Sequence, residues 1–355
     1  MQLPLLLTLL VACCSTDPLP RLTPIFIAGA HGYACFRIPS AVQAPSGALL
    51  VFAEARAACN DNSPLNDIVL SRSADSGSTW SAPAVVAPGF GRLNLRNPTA
   101  VFSRSKALIL QFVNATQGPW HTLQVVSHDE GATWGPPHDP ALGSADSFLP
   151  GPANGLLLSG ASPAPGRLLL CGTNWYDFTR APMAPRGARV WFSDDASGAP
   201  GSWTSPPALT ANNMSECAMA ELRNGSVLIN FRNEKRLHCE CRAQARSDDG
   251  GVTWSSLAFV PDLIEPVCSA GLLQLSAGLL FSNPDSLTQR VNMTVRRSMD
   301  GGLTWPTKAL ISPGGGAYSV LLPMGSSGGA AGIVFETMNA SGYNGIVFAL
   351  VPPFA

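Results

Sequence analysis

With 355 residues, of which 46% are hydrophobic and 13% charged, the chain has ample apolar surface for a packed core, which excludes an intrinsically disordered protein. A formal net charge of −1 excludes a molecule that, as a whole, holds nucleic acid or an anionic membrane surface by charge. The 34 glycines and 31 prolines are spread between short apolar runs, and helical periodicity is nearly absent, so the expectation is many strands joined by tight turns.

Residues 1–17 open with MQLPLLLTLLVACCS, an apolar stretch too short to span a bilayer and of the length of a signal-peptide core. Export is expected, although the stretch has no early Lys or Arg, and Leu10-Val11-Ala12-Cys13 also reads as a bacterial lipoprotein cleavage site. Five Asn-x-Ser/Thr sequons, at Asn114, Asn213, Asn224, Asn292 and Asn339, suit a eukaryotic secretory route. No later run reaches the roughly 18 apolar residues of a membrane-spanning helix. Seven cysteines follow the first 17 residues, which leaves at least one unpaired. His238-Cys239-Glu240-Cys241 invites a metal reading, against which stands a structural cysteine pair on one face of a strand, with no second ligand pair nearby.

Residues 18–355 are organised by an internal repeat. An eight-residue turn, Ser73-x-Asp75-x-Gly77-x-Thr79-Trp80, recurs at Ser127 to Trp134, Ser247 to Trp254 and Ser298 to Trp305, with a degraded copy from Ser193 to Trp203. The serines are 54, 66, 54 and 51 residues apart, a spacing that suits one four-stranded sheet per repeat. In such a turn Asp and Ser cap amides, Gly takes a positive φ, and Trp opens the next strand and packs beneath it. The strand two places before the turn can be found six times, at 48–54, 107–113, 167–171, 226–231, 278–281 and 332–336. This predicts an all-β, six-bladed β-propeller of four-stranded antiparallel blades, with 23–28 as an outer strand added to the last blade.

Because strand direction alternates within a blade, the Ser-x-Asp turns fall on one face, and starts of first strands with ends of second strands fall on the other. Charges gather on that second face. Arg37 and Glu216 start first strands, as does the aromatic Tyr318; Arg232 and Glu336 end second strands; Arg56, Asp61 and Arg290 occupy the loops that follow. Singly, an arginine at a strand end is an ordinary solvated residue. Several arginines around one mouth repel each other unless an anion joins them, and guanidinium forks suit a carboxylate, so the expected substrate is an acid.

Phe36-Arg37-Ile38-Pro39 with Phe52-Ala53-Glu54-Ala55-Arg56, together with the repeated turns known as Asp boxes, resembles the sialidases over essentially the whole chain after residue 17. The stretch from Glu216-Cys217 through Asn233, followed by His238-Cys239-Glu240-Cys241-Arg242, is most similar to the animal lysosomal type. The resemblance implies that Arg37, Arg232 and Arg290 grip the sialic acid carboxylate and that Glu336 orients the first of them. It implies Asp61 as general acid/base with Arg56 beside it, and Tyr318 as nucleophile with Glu216 as its proton acceptor. Asp67, six residues beyond Asp61, begins a strand and points elsewhere. A phenol suits this chemistry because a carboxylate nucleophile would be repelled by the carboxylate on the anomeric carbon. No cofactor or metal is implied. The substrate is a sialylated glycoconjugate, the destination the secretory pathway, lysosomal lumen or extracellular space, and the lysosomal type implies a carboxypeptidase partner. A non-catalytic sialic-acid-binding propeller and a trans-sialidase are the alternative readings, which Tyr318, Glu216 and Asp61 together disfavour and the sequence leaves open, respectively.

Overall fold

The computed structural model describes residues 18–60, 65–89, 91–116, 120–141, 147–175, 187–195, 197–205, 213–325 and 329–354. Asp61 lies outside them. The described chain is built of strands, turns and loops. Strand β1 (Thr23–Ile27) precedes a four-stranded antiparallel sheet in the order β2 (Cys35–Gln43), β3 (Leu49–Arg56), β4 (Asn66–Ser73) and β5 (Ala84–Ala87). Next come β6 (Leu95–Phe102), β7 (Leu108–Asn114) and β8 (His121–Ser127), a three-stranded sheet. A five-stranded sheet follows, comprising β9 (Ser147–Pro150), β10 (Leu156–Leu157), β11 (Leu168–Trp175), β12 (Ala188–Ser193) and β13 (Trp203–Thr204). A second four-stranded sheet holds β14 (Met214–Glu221), β15 (Val227–Asn233), β16 (Cys241–Ser247) and β17 (Ala258–Ile264).

The last six strands are β18 (Gly271–Leu275), β19 (Gly278–Pro284), β20 (Val291–Ser298), β21 (Thr307–Met324), β22 (Ala330–Asn339) and β23 (Gly342–Leu350). With β1 they form one seven-stranded sheet, in the order β1-β23-β22-β21-β20-β19-β18. The expected addition of the 23–28 segment to the last repeat is observed as antiparallel pairing of β1 with β23, Thr23 opposite Phe348. That β21 runs unbroken for 18 residues was not legible in the sequence. Its first half pairs with β20 and its second with β22, the handover falling at Gly315, where side-chain-free backbone can bend from one partner to the other.

The Ser-x-Asp turns are built as their residue types require. In the first, Asp75 Oδ1 accepts from Ser73 Oγ at 2.8 Å and from the Thr79 amide at 2.9 Å, while the Gly77 amide donates to Ser73 Oγ at 2.8 Å. The same pattern recurs around Asp129, Asp249 and Asp300. Gly77 has φ +86, and a Cβ there would stand 2.2 Å from the Phe348 ring, so glycine is demanded both by the turn and by close packing on β23. Apolar residues of adjoining sheets interlock in the same way around β2, β3, β22 and β23, where Phe36, Val51, Val69, Val334 and Phe348 share one core cluster.

Among the described residues, three cysteine pairs are closed: Cys35–Cys59, Cys171–Cys217 and Cys239–Cys241. Cys239 lies in the turn before β16 rather than on the strand, and its sulfur is committed to Cys241. Cys268 is free and buried.

Candidate active site

Four first strands share one irregularity. Two residues stand opposite one at Ile38-Pro39, Asn97-Pro98, Ser215-Glu216 and Ala317-Tyr318, each time near the start of the strand or of its pairing with the next. A bulge of this kind turns a side chain out of the regular alternation, and here it aims Glu216 and Tyr318 toward common ground. Ile38 pays for its bulge with φ +58, a region that strains a β-branched residue. What holds it there is Glu336.

Glu336, buried on β22, accepts three hydrogen bonds. Arg37 Nε donates to Oε1 at 2.7 Å and the Ile38 amide to the same oxygen at 2.8 Å, while the Tyr318 amide donates to Oε2 at 3.1 Å. One carboxylate thus fixes the bulges of β2 and β21 together with the arginine between them. Arg37 is 2% exposed; burial by itself would lower its pKa, but the Glu336 charge and hydrogen bond leave it raised and firmly cationic.

Across the site, Arg232 Nη1 donates to Glu216 Oε2 at 2.7 Å and to Tyr318 Oη at 3.0 Å, and the Tyr318 hydroxyl donates to Glu216 Oε1. Arg232 Nε lies 3.0 Å from Glu234, which in turn accepts from Ser215 Oγ. Burial pushes the Tyr318 phenol well above its usual pKa, the Glu216 charge adds to this, and Arg232 and Arg290 pull the other way. A phenol so placed is protonated at rest, with its proton already directed at a carboxylate. Arg290, in the loop between β19 and β20, has its guanidinium carbon 5.4 Å from the Tyr318 ring centre, as does Arg37 on β2.

Six of the sequence-derived residues, Arg37, Glu216, Arg232, Arg290, Tyr318 and Glu336, therefore meet through direct contacts. Arg56 stands one strand away, opposite Cys35 in the ladder of β2 and β3, and donates to Glu54 at 2.7 Å and to the Asn60 carbonyl at 3.1 Å. Asp61 lies outside the described residues. Asp67 is engaged elsewhere, accepting from Tyr33 Oη at 2.5 Å and the Gly89 amide at 2.6 Å.

Several participants were not singled out from the sequence. Glu54 joins Arg56 to the Asn97 amide, which it receives at 2.8 Å. Tyr343 has its ring 3.6 Å from the Arg37 guanidinium carbon and its hydroxyl 2.9 Å from Arg290 Nη1. Buried Arg242 and Glu265 pair at 2.7 Å behind the site, with Arg242 also holding the Cys268 carbonyl. Cys268 packs against Ile38, Ala317 and Tyr318; its thiol is pushed up to about 12 by burial, so it is an inert filler rather than a nucleophile. The Ser-x-Asp turns could point to none of these, because each turn joins a strand to the segment that follows it and carries no information on which side chains meet between sheets.

This is an all-β molecule of propeller type with arginines, glutamates and a buried tyrosine gathered at one strand-end face. A family model described as a BNR repeat-like domain matches residues 47–329, and the chain belongs to that family. It is 29% identical over 347 residues to a sialidase of Micromonospora viridifaciens, covering 87% of this chain and 52% of that protein. It is 30% identical over 322 residues to a sialidase of Bacteroides fragilis, covering 78% and 55%. The chain spans about half the length of these curated relatives. Among solved structures, the Hadza microbial sialidase Hz136 shares its fold with a TM-score of 0.78 at 24% identity, over 93% of this chain and 68% of that one.

Proposed function

We propose that the chain is an exo-α-sialidase that hydrolyses terminal sialic acid from glycoproteins, glycolipids or oligosaccharides with retention of configuration. The observation that carries the reading is the Tyr318 hydroxyl hydrogen-bonded to Glu216 between Arg232, Arg290 and Arg37. The sialidase relatives support the substrate class.

In this reading Arg37, Arg232 and Arg290 bind the substrate carboxylate, with Glu336 holding Arg37 in place. As the Tyr318 oxygen bonds to the anomeric carbon, its proton passes to Glu216. The glycosidic bond breaks and the departing oxygen takes a proton from Asp61. Water then surrenders a proton to Asp61 and attacks the same carbon, the tyrosyl bond breaks, and Glu216 returns the proton to Tyr318. A neutral nucleophile avoids the repulsion that a carboxylate would meet at a carbon already bearing one. Arg56 would stand beside Asp61, steadied by Glu54.

The same reading takes the seven-stranded sheet as two blades joined through β21, giving six blades in all. It takes residues 1–17 as a signal peptide and the product as a protein of the secretory route. The likeness to the animal lysosomal type extends it to the lysosomal lumen and a carboxypeptidase partner, which an acid-shifted activity optimum and co-purification would support. Proton NMR of sialyllactose during turnover tests the central claim: free sialic acid should appear first as the α-anomer, whereas the β-anomer first would exclude retention and a sialylated acceptor would mean transfer in place of hydrolysis.

A further inference from the structure

We infer that Tyr343 is a positioning residue that sets the spacing and orientation of Arg37 and Arg290, and so the width of the grip on the substrate's carboxylate. The inference rests on the proposed binding of an acidic sugar at this site.

Two cations that share one anion must be held close and in register before the anion arrives, against their mutual repulsion. Glu336 does this for Arg37 at Nε. The flat face of the Arg37 guanidinium is covered by the Tyr343 ring, with 3.6 Å from the guanidinium carbon to the ring centre, a contact in which the aromatic face attracts the cation. The hydroxyl at the far end of that ring accepts from Arg290 Nη1 at 2.9 Å. A single rigid side chain therefore touches one arginine with its face and the other with its tip. The second tie on Arg290, the Val267 carbonyl at 3.2 Å, comes from a separate loop.

The backbone is shaped to deliver this ring. Tyr343 sits at the start of β23, opposite Met338, where the register with β22 shifts. Gly342 and Gly345 flank it at φ +114 and +152, and a Cβ on Gly345 would lie 2.2 Å from the Phe26 carbonyl. That close approach seats the strand against β1 and leaves Tyr343 facing the arginines. Burial raises the Tyr343 pKa, the Glu336 charge adds to it, and Arg37 and Arg290 oppose the rise; a neutral spacer between two cations is the consequence.

The test compares wild type, Tyr343→Phe and Tyr343→Ala for affinity toward 2-deoxy-2,3-didehydro-N-acetylneuraminic acid and toward its uncharged methyl ester, alongside KM and kcat on an aryl α-sialoside. Loss of the ring should weaken the acid by about 30-fold and the ester by no more than about threefold, the difference being the cation–π contact and the charged hydrogen bond. Tyr343→Phe keeps the ring and fold and should weaken the acid by about fivefold, with the loss in kcat/KM lying mainly in KM. Equal losses for acid and ester would overturn the inference by making Tyr343 a packing residue, as would acid binding unchanged in both variants. A wild type that turns over the sialoside while the variants bind the acid normally sinks this inference alone; a wild type that binds neither ligand and turns over nothing sinks the proposed function with it.

Discussion

The hydroxyl of Tyr318, on β21, donates to Glu216, on β14, with Arg232 bonded to both. Each of the two side chains leaves its strand at a bulge, so neither follows the alternation that governs the rest of the sheet. A buried phenol and a carboxylate brought together from 102 residues apart make a proton donor and its acceptor in one hydrogen bond.

If Glu216 takes the Tyr318 proton, Glu216→Gln keeps the shape and removes the acceptor. Turnover of an aryl sialoside should fall by about 10²–10⁴-fold with little change in the thermal midpoint, as expected for loss of general base assistance. Retention of near-wild-type kcat would remove Glu216 from the reaction.

Glu336 is different in kind, because it is fully buried and accepts from Arg37 and from two strained or bulged backbone amides. Glu336→Gln removes the Glu336 charge from its pair with buried Arg37 and should destabilise the fold by about 3–5 kcal/mol in denaturant unfolding. Substrate KM should rise in the same variant. A stability change below about 1 kcal/mol would mean that Arg37 is neutralised by other means.

The aspartates of the turns make the fold sensitive to acid. The Thr79 and Ser73 hydrogen bonds hold Asp75 down to about 2, and Asp129 and Asp300 are held to about 2 by equivalent threonine and serine contacts, though for Asp300 burial, the largest influence, opposes the shift. An unfolded aspartate titrates near ~3.9, so between that pH and about 2 the unfolded chain binds more protons than the folded one. Stability from these groups is fully present above about pH 5 and is lost as pH falls through 4 to 2. Denaturant midpoints measured against pH should show this decline, and Asp75→Asn should make it shallower; an unchanged slope would mean the turns are not titrating.

Much of this is legible in the sequence itself. The spaced Ser-x-Asp turns located the hairpins, and strand alternation between them put Arg37, Arg56, Asp61, Glu216, Arg232, Arg290, Tyr318 and Glu336 on one expected face; of these, Arg37, Glu216, Arg232, Arg290, Tyr318 and Glu336 meet in direct contact. Less legible was whatever depends on contacts between repeats. Tyr343 lies in an unremarkable Gly342-Tyr343-Asn344 sequence and acquires meaning only from Arg37 and Arg290, whose neighbours in space come from remote strands. Apart from Cys239 and Cys241, which the sequence offered as a structural pair, the cysteine pairs could not be read, since seven thiols admit many connectivities and the folded geometry decides which approach. Strand β21 runs on through Pro313 and three glycines, where Gly315 lets one strand serve two partners.

The central claim is that Tyr318 is the nucleophile of a sialidase, and the most direct test is release of a fluorogenic aryl group from its α-sialoside at mildly acid pH by wild type and by Tyr318→Phe. Turnover by wild type that drops by at least about 10³-fold in the variant, with the sugar still bound, is the predicted result. Comparable rates for the two proteins would contradict the assignment of the nucleophile, and a wild type that binds the sialoside without cleaving it at any pH would contradict catalysis altogether and leave a propeller that only recognises sialylated ligands.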